Sequence, residues 1–350
     1  MAYTTIDDPS AYFQTKLYTG NDSSRAITFD GNTDMQPDWS WFKARSEAYN
    51  HALFDSVRGT TKLIRSNQTT AEETHSTTLT AFGSNGFSLG GGDAFTNADT
   101  VTYASWNWKA GTSFTNDASA TGIGSIDSTG SVNTDAGFSI VTFTGNSGSI
   151  AHGLAQKPAM VIIKPRNVSG SWIVTHKGLG AEMQDYYLFL DTTAAKATSN
   201  DIWGGEPTST TFSVSSSLID SANYVAYCFA EKKGYSKFGS YTGNGNADGT
   251  FVYTGFKPAF VMQKSTTTTY GWQIYDNKRG GFNPENDELV ANLDSAETDG
   301  SGNGFPDFYS NGFKLRNTDI NKNASGVTYI YMAFAENPFV TSTGVPATAR

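Results

Sequence analysis

A single cysteine, Cys228, stands in 350 residues, so no intrachain disulfide is possible and synthesis in a reducing compartment is expected. Charged residues make up only 16% of the chain, well below the usual share of about a quarter. No Lys/Arg run or basic stripe occurs and the net charge is -9, which argues against nucleic acid as a partner. No stretch approaches the roughly 18 consecutive apolar residues of a spanning helix, so no membrane insertion is expected. The first residues, Met1-Ala2-Tyr3-Thr4-Thr5-Ile6-Asp7-Asp8, have neither the basic start nor the apolar run of a signal peptide. The four histidines, His51, His75, His152 and His176, show no metal-ligand spacing. There is also no Gly-x-Ser-x-Gly elbow. The sequence thus predicts no catalytic residue, no metal and no cofactor.

What the chain does contain is aromatic: 13% of residues, with 23 Phe, 17 Tyr and 7 Trp, beside 36 Gly. Few charges, many aromatics and many Gly/Asn/Thr turns describe an all-β protein. One pattern occurs three times, as Pro37-Asp38-Trp39-Ser40-Trp41-Phe42-Lys43, Pro158-Ala159-Met160-Val161-Ile162-Ile163-Lys164 and Pro258-Ala259-Phe260-Val261-Met262-Gln263-Lys264. Alternate strand positions share one face, so Trp39/Trp41, Met160/Ile162 and Phe260/Met262 are expected to point into three equivalent cores. The spacing of the copies exceeds that of a solenoid and suits small domains.

Other strings recur in step. Tyr18-Thr19-Gly20-Asn21, Phe143-Thr144-Gly145-Asn146 and Tyr241-Thr242-Gly243-Asn244 read as strands ending in turns. Strands starting at His51, Trp172 and Trp272 follow, so His51 reads as a packing residue in a Trp position. Basic turns come next, at Val57-Arg58-Gly59, His176-Lys177-Gly178 and Lys278-Arg279-Gly280. Roughly six to eight short strands per copy describe an all-β fold of three tandem β-sandwich (jelly-roll-like) repeats. The boundaries are expected at 1–111 (repeat 1 with an N-terminal arm), 112–135 (a Gly/Ser/Thr-rich connector), 136–234 (repeat 2), 235–340 (repeat 3) and 341–350 (a tail). The connector reads equally as a flexible linker or, from Ile123, Ile126 and Val132, as strand. A helical turn or two is expected near Ala71-Glu72-Glu73. Repeats 2 and 3 join through Lys232-Lys233-Gly234 alone, which predicts a rigid pair plus a diverged first domain, with residues 1–110 dispensable for folding of the rest.

Four residues are candidate ligand contacts. Trp203, in Asp201-Ile202-Trp203-Gly204-Gly205, lies outside any strand pattern and is the best exposed aromatic for stacking. Asn244-Gly245-Asn246-Ala247-Asp248-Gly249 resembles the start of a calcium loop, but Gly255 stands where the bidentate Glu is required. Asn244, Asn246 and Asp248 are therefore read as turn residues that offer hydrogen bonds to a ligand. Asp299-Gly300-Ser301-Gly302-Asn303-Gly304 lacks that Glu too. Glu231 and Glu336 hold equivalent places in different copies and read as structural, and Cys228 reads as a buried small hydrophobe.

Several strings together resemble a family of repeat-bearing virion-associated proteins from tailed phages of marine bacteria. They are Asp8-Pro9-Ser10-Ala11-Tyr12-Phe13, Phe54-Asp55-Ser56-Val57-Arg58-Gly59, the run from Tyr241 to Gly249, Asn311-Gly312-Phe313-Lys314-Leu315 and the run from Tyr331 to Phe339. The likeness covers nearly the whole chain. It implies a non-enzymatic virion component on the particle exterior, tail-fibre-like or adhesin-like, made in the host cytoplasm and present as a homo-oligomer or in multiple copies. Its implied partners are other virion proteins and a host surface glycan. The alternatives are a capsid decoration protein, a carbohydrate-binding module and a glycan depolymerase. The family lends no catalytic or binding residue.

Overall fold

Every side chain of the three Pro-to-Lys strands is buried, on both faces. A strand buried on both sides belongs to a middle layer. The computed structural model, which describes residues 2–199, 201–299 and 306–348, accounts for this double burial.

The first unit contains β1 (Phe13–Thr19), β2 (Arg25–Thr28), β3 (Trp39–Ala44), β4 (Ala52–Asp55), β5 (Gly59–Ile64), β6 (Glu73–Thr74), β7 (Leu79–Gly83), β8 (Gly86–Leu89) and β9 (Thr102–Trp108). The second contains β10 (Thr112–Asn116), α1 (Ala118–Thr121), β11 (Ser128–Asn133), β12 (Phe138–Thr144), β13 (Gly148–Ala151), β14 (Met160–Pro165), β15 (Ile173–His176), β16 (Tyr186–Phe189), β17 (Ala197–Thr198), β18 (Trp203–Gly205), β19 (Thr211–Val214) and β20 (Asn223–Phe229). The third contains β21 (Ser236–Thr242), β22 (Phe251–Tyr253), β23 (Phe256–Ser265), β24 (Gln273–Asp276), β25 (Asp287–Val290), β26 (Thr298–Asp299), β27 (Asp307–Tyr309), β28 (Gly312–Lys314), α2 (Ile320–Asn323) and β29 (Thr328–Pro338). Residues 300–304 of the second Asp/Gly string lie outside the described residues.

The large sheets run β1-β9-β3-β4-β5-β6, β12-β20-β14-β15-β16-β17 and β21-β29-β23-β24-β25-β26, the same order each time. A three-stranded sheet faces each: β2-β8-β7, β13-β19-β18 and β22-β28-β27. All named pairs are antiparallel, so the protein is all-β and built of sandwiches. The 112–135 segment supplies β10 and β11, which extend the second large sheet beyond β12. Residues 71–72 are not helical and Glu73 opens β6. The second unit's tight turn is also displaced from its expected place. Register puts His176 opposite Met160, where Asp55 faces Trp39 and Asp276 faces Phe260, so Gly180 rather than Gly178 matches Gly59 and Gly280.

The expected three equivalent cores are one. Trp39, Trp41, Met160, Ile162, Phe260 and Met262 belong to a single cluster drawn from all three large sheets. The sandwich cores use the alternate residues instead: Phe42 with Ile27 and Phe87, Val161 and Ile163 with Ile150 and Phe212, Val261 with Val252 and Phe313. At the centre stand Trp108, Phe229 and Phe334, which hold the same register in their sheets. Their ring centroids are 6.5, 5.6 and 6.0 Å apart. Phe13 stacks on Phe334 at 5.3 Å and Phe138 on Phe229 at 4.8 Å.

Contacts between units run head to tail and close on themselves. Trp172 Nε1 donates to Arg65 O (2.7 Å), Trp272 Nε1 to Phe189 O (2.9 Å), and His51 Nε2 lies 3.1 Å from Val290 O. Backbone bonds repeat the cycle: Glu72 N to Arg166 O (2.7 Å), Lys196 N to Thr266 O (2.9 Å) and Glu297 N to Arg45 O (2.7 Å). This is the heterologous closed packing of a cyclic trimer, made within one chain.

The three terminal lysines of the Pro-to-Lys strands sit at these seams. Lys164 Nζ donates to Thr69 O (3.0 Å) of the first unit and Lys264 Nζ to Thr193 O (3.2 Å) of the second. Lys43 donates to Ala44 O (2.6 Å) and lies near Asp294 and Glu297 of the third unit. Burial lowers all three ammonium groups from 10.5 to about 8.

Two predictions follow from the shared core. Trp108→Ala should cost about 3–5 kcal/mol in denaturant unfolding, because the cavity opens where three sheets meet. A chain lacking residues 1–110 should bind hydrophobic dye and show no cooperative transition, since Phe229, Phe260 and Phe334 lose their cover; a folded monomer would contradict this. This reverses the expectation drawn from sequence that those residues are dispensable. A third prediction comes from the lysines. Between pH 8 and 10 the unfolded chain binds more protons than the folded one, so stability should rise with pH, by on the order of 2 kcal/mol per lysine. Above about pH 10 the buried tyrosines reverse the slope, because burial raises the phenols of Tyr227, Tyr241 and Tyr275 in the folded state alone. Urea midpoints across this range, for wild type and Lys164→Met, test it: the variant should lose part of the rise.

Candidate functional site

The buried ionisable groups are already engaged. In the first unit Arg58 Nε is 2.5 Å from Asp55, both side chains being fully buried, and Arg58 also reaches Glu72 at 3.0 Å. The second unit completes this group through Arg166, 3.0 Å from Glu72, and the Tyr227 hydroxyl, 2.7 Å from Asp55. The third unit repeats it with Arg279–Asp276 at 2.6 Å and Arg279–Glu297 at 2.8 Å. The first unit closes that group through Arg45, 2.6 Å from Glu297, and Trp106 Nε1, 2.9 Å from Asp276. These carboxylates face guanidinium groups rather than each other. That geometry gives charge-assisted hydrogen bonds that tie neighbouring units together.

Three histidines are held neutral by burial, which pushes His51 and His176 down to about 3 and His152 to about 4. Each has both ring nitrogens engaged. His51 Nδ1 accepts from Trp41 Nε1 at 2.8 Å, which leaves Nε2 to donate to Val290 O. His176 accepts from Gly178 N at 2.9 Å and donates to Tyr331 O at 3.1 Å. His152 accepts from Leu154 N at 3.1 Å and donates to Thr208 O at 3.3 Å. Burial pushes the Cys228 thiol up, away from thiolate chemistry. Glu231 is paired with Lys177 and Lys237, and Glu336 with Lys257. Among the described residues no group of three His, Cys, Asp or Glu is placed to hold a metal.

Of the candidate residues, Trp203 is misplaced by sequence reasoning. It is only 6% exposed, opens β18 opposite Val214, and packs in the second sandwich core. The β18 strand is three residues long and bulged, so no alternation announced it. Asn244 and Asn246 serve their own turn. Asn244 Nδ2 donates to Asp248 O (3.1 Å), Asn244 Oδ1 accepts from Asn246 N (3.0 Å), and Asn246 Oδ1 accepts from Asp248 N (2.9 Å). Asn323 ties the turn down from α2. Asp248 remains at the surface, 2.5 Å from Lys314 and 3.8 Å from Arg316.

Those two cations lead to a surface that the sequence reading did not single out. On β22, Val252 points into the sandwich while Phe251 and Tyr253 point outward, 43% and 53% exposed. Tyr309 joins them from β27, because it and Tyr253 both pair with Gly312 of β28 between them. A Cβ on Gly312 would lie 2.1 Å from Val252 O, which excludes a side chain there, and the Phe251 ring lies over the bare backbone, 3.1 Å from that Cβ position. Phe251 and Tyr309 then meet edge to face at 6.1 Å. Arg316 is 3.2 Å from Asp307 on the same side of the sheet. Tyr3 of the N-terminal arm borders the face, its hydroxyl 3.3 Å from that of Tyr253 and 2.7 Å from Gly255 O. Phe282, 81% exposed, stands beside Asn283, whose amide bonds both the N–H and the C=O of Phe308 at 2.8 Å.

Register places Ala26 and Ser149 where Phe251 stands, and Thr28 and Ala151 where Tyr253 stands. Ser88 and Ser213 take the place of Lys314. The same outer face is small in two units and aromatic in the third. Setting Phe251-Val252-Tyr253 beside the matching strands of the other copies would have revealed it in the sequence.

No curated protein and no solved structure matches this chain. Residues 8–338 match a family described as a domain of unknown function, and the chain belongs to that family, DUF7483.

Proposed function

We propose that this chain is a non-enzymatic structural protein of a virion exterior, serving as a tail-fibre-like or adhesin-like attachment module. The observation that carries the reading is the closed ring of three sandwiches around one core, with one outer face set apart as aromatic. Such a body transmits load without hinging, because interiors packed to native density deform little. Its two buried arginine–carboxylate groups lie on seams between units, which suits a structural part. The resemblance to virion-associated proteins supplies the setting, with other virion proteins as neighbours and a host glycan as the receptor.

Immunogold labelling or cryo-electron microscopy of intact particles tests the reading. The protein should sit at the tail in few copies. Coverage of the head in many copies would replace attachment with capsid decoration. Loss of host-polysaccharide viscosity on adding purified protein, abolished by a single carboxylate substitution, would replace it with depolymerisation.

A further inference from the structure

The outer face of β22-β28-β27 differs from its two counterparts in one consistent way: small side chains are exchanged for rings and paired charges. Buried positions of the three small sheets keep the same character, with Ile27, Ile150 and Val252 opposite Phe87, Phe212 and Phe313. Core packing therefore does not account for Phe251, Tyr253 and Tyr309. Two aromatic residues two strands apart span about 10 Å, with the Phe251 ring between them. The charges beside them cancel locally: Lys314 with Asp248, Arg316 with Asp307. The chain as a whole carries -9, which opposes an anionic ligand. What fits is an uncharged molecule with apolar C–H faces to lie on rings and hydroxyl groups to meet planar charged side chains at the edge.

We propose that this face, centred on Phe251, Tyr253 and Tyr309, is a binding platform for an uncharged glycan. Rings at that spacing suit two consecutive sugars of a chain, with Arg316 and Asp307 supplying hydrogen bonds to their hydroxyl groups. The assignment rests on the attachment reading and names its receptor chemistry.

Affinity electrophoresis of the full chain, in gels containing a soluble β-glucan, a galactan, a mannan or the anionic control alginate, tests it. At least one uncharged polysaccharide should retard the protein. Phe251→Ala and Tyr253→Ala should each weaken that retention about tenfold. Thr28→Ala, at the matching place in the first unit, should leave it unchanged, and all three variants should keep the wild-type thermal midpoint. Retention by alginate alone, no retention at all, or retention untouched by both aromatic substitutions would overturn the assignment. So would a dimer in sedimentation that Tyr253→Ala dissolves, because the face would then belong to a second copy. A tail location combined with a negative gel result removes this platform and leaves attachment through another surface. A head location removes the attachment reading whatever the gels show.

Discussion

Three rings at one point, Trp108, Phe229 and Phe334, set the terms for everything around them. Each comes from the closing strand of its own sheet, and each needs the other two sheets to exclude water. The large sheets thereby become middle layers, buried by a small sheet on one side and by each other on the other. An antiparallel sheet ordinarily has one wet face and alternates apolar with polar residues. Here Met160-Val161-Ile162-Ile163 can run apolar throughout because both faces are dry. Among the polar residues on these strands, Ser40, Lys43, Lys164 and Lys264 are buried at 0% exposure. Ser40 bonds Asn107 at 2.8 Å, and the lysines are satisfied by carbonyl groups at the seams.

The seams show how one architecture tolerates different chemistry. Two of the three carry an Asp–Arg–Glu–Arg group that links neighbouring units. In the seam between the second and third units, His176 takes the Asp position, and Leu179, in the shared core, takes the Arg position. Removing one partner of a buried ion pair costs about 3–5 kcal/mol, whereas replacing the whole group by a packed apolar one can be neutral. In the second unit Asp and Arg are replaced together by a neutral histidine and a leucine, while Lys196 takes the Glu place and donates to Leu179 O. Backbone bonds common to all three seams keep the ring closed regardless.

Most long strands, the tight turns of the first and third units and the Trp place held by His51 were legible from the sequence, because each rests on short-range alternation or on φ preference. Which face of each strand met which neighbour was not. Alternation separates two faces but does not label them, and when both are buried the label depends on tertiary contacts. Trp39/Trp41, Met160/Ile162 and Phe260/Met262 were correctly grouped and wrongly assigned to separate interiors. Trp203 failed for a different reason, since a bulged three-residue strand leaves no period to detect. Asp248 was picked out as a turn residue with hydrogen bonds to offer, and its carboxylate pairs with Lys314 at the rim of the aromatic face.

That face shows where such a scaffold has freedom to vary. Inward positions of the small sheets are fixed by packing, and a change there is felt at once. Outward positions are solvated, and substitutions there usually shift stability by no more than about 0.5 kcal/mol. Phe251 and Tyr253 flank Val252, so alternation lets the strand gain two rings outside while its inner residue stays as the core requires. A ring of sandwiches already ordered by a common core loses little further conformational freedom when a ligand lies on one sheet. The interaction that binds the three units together is thus also what would let a modest, shallow surface hold a partner.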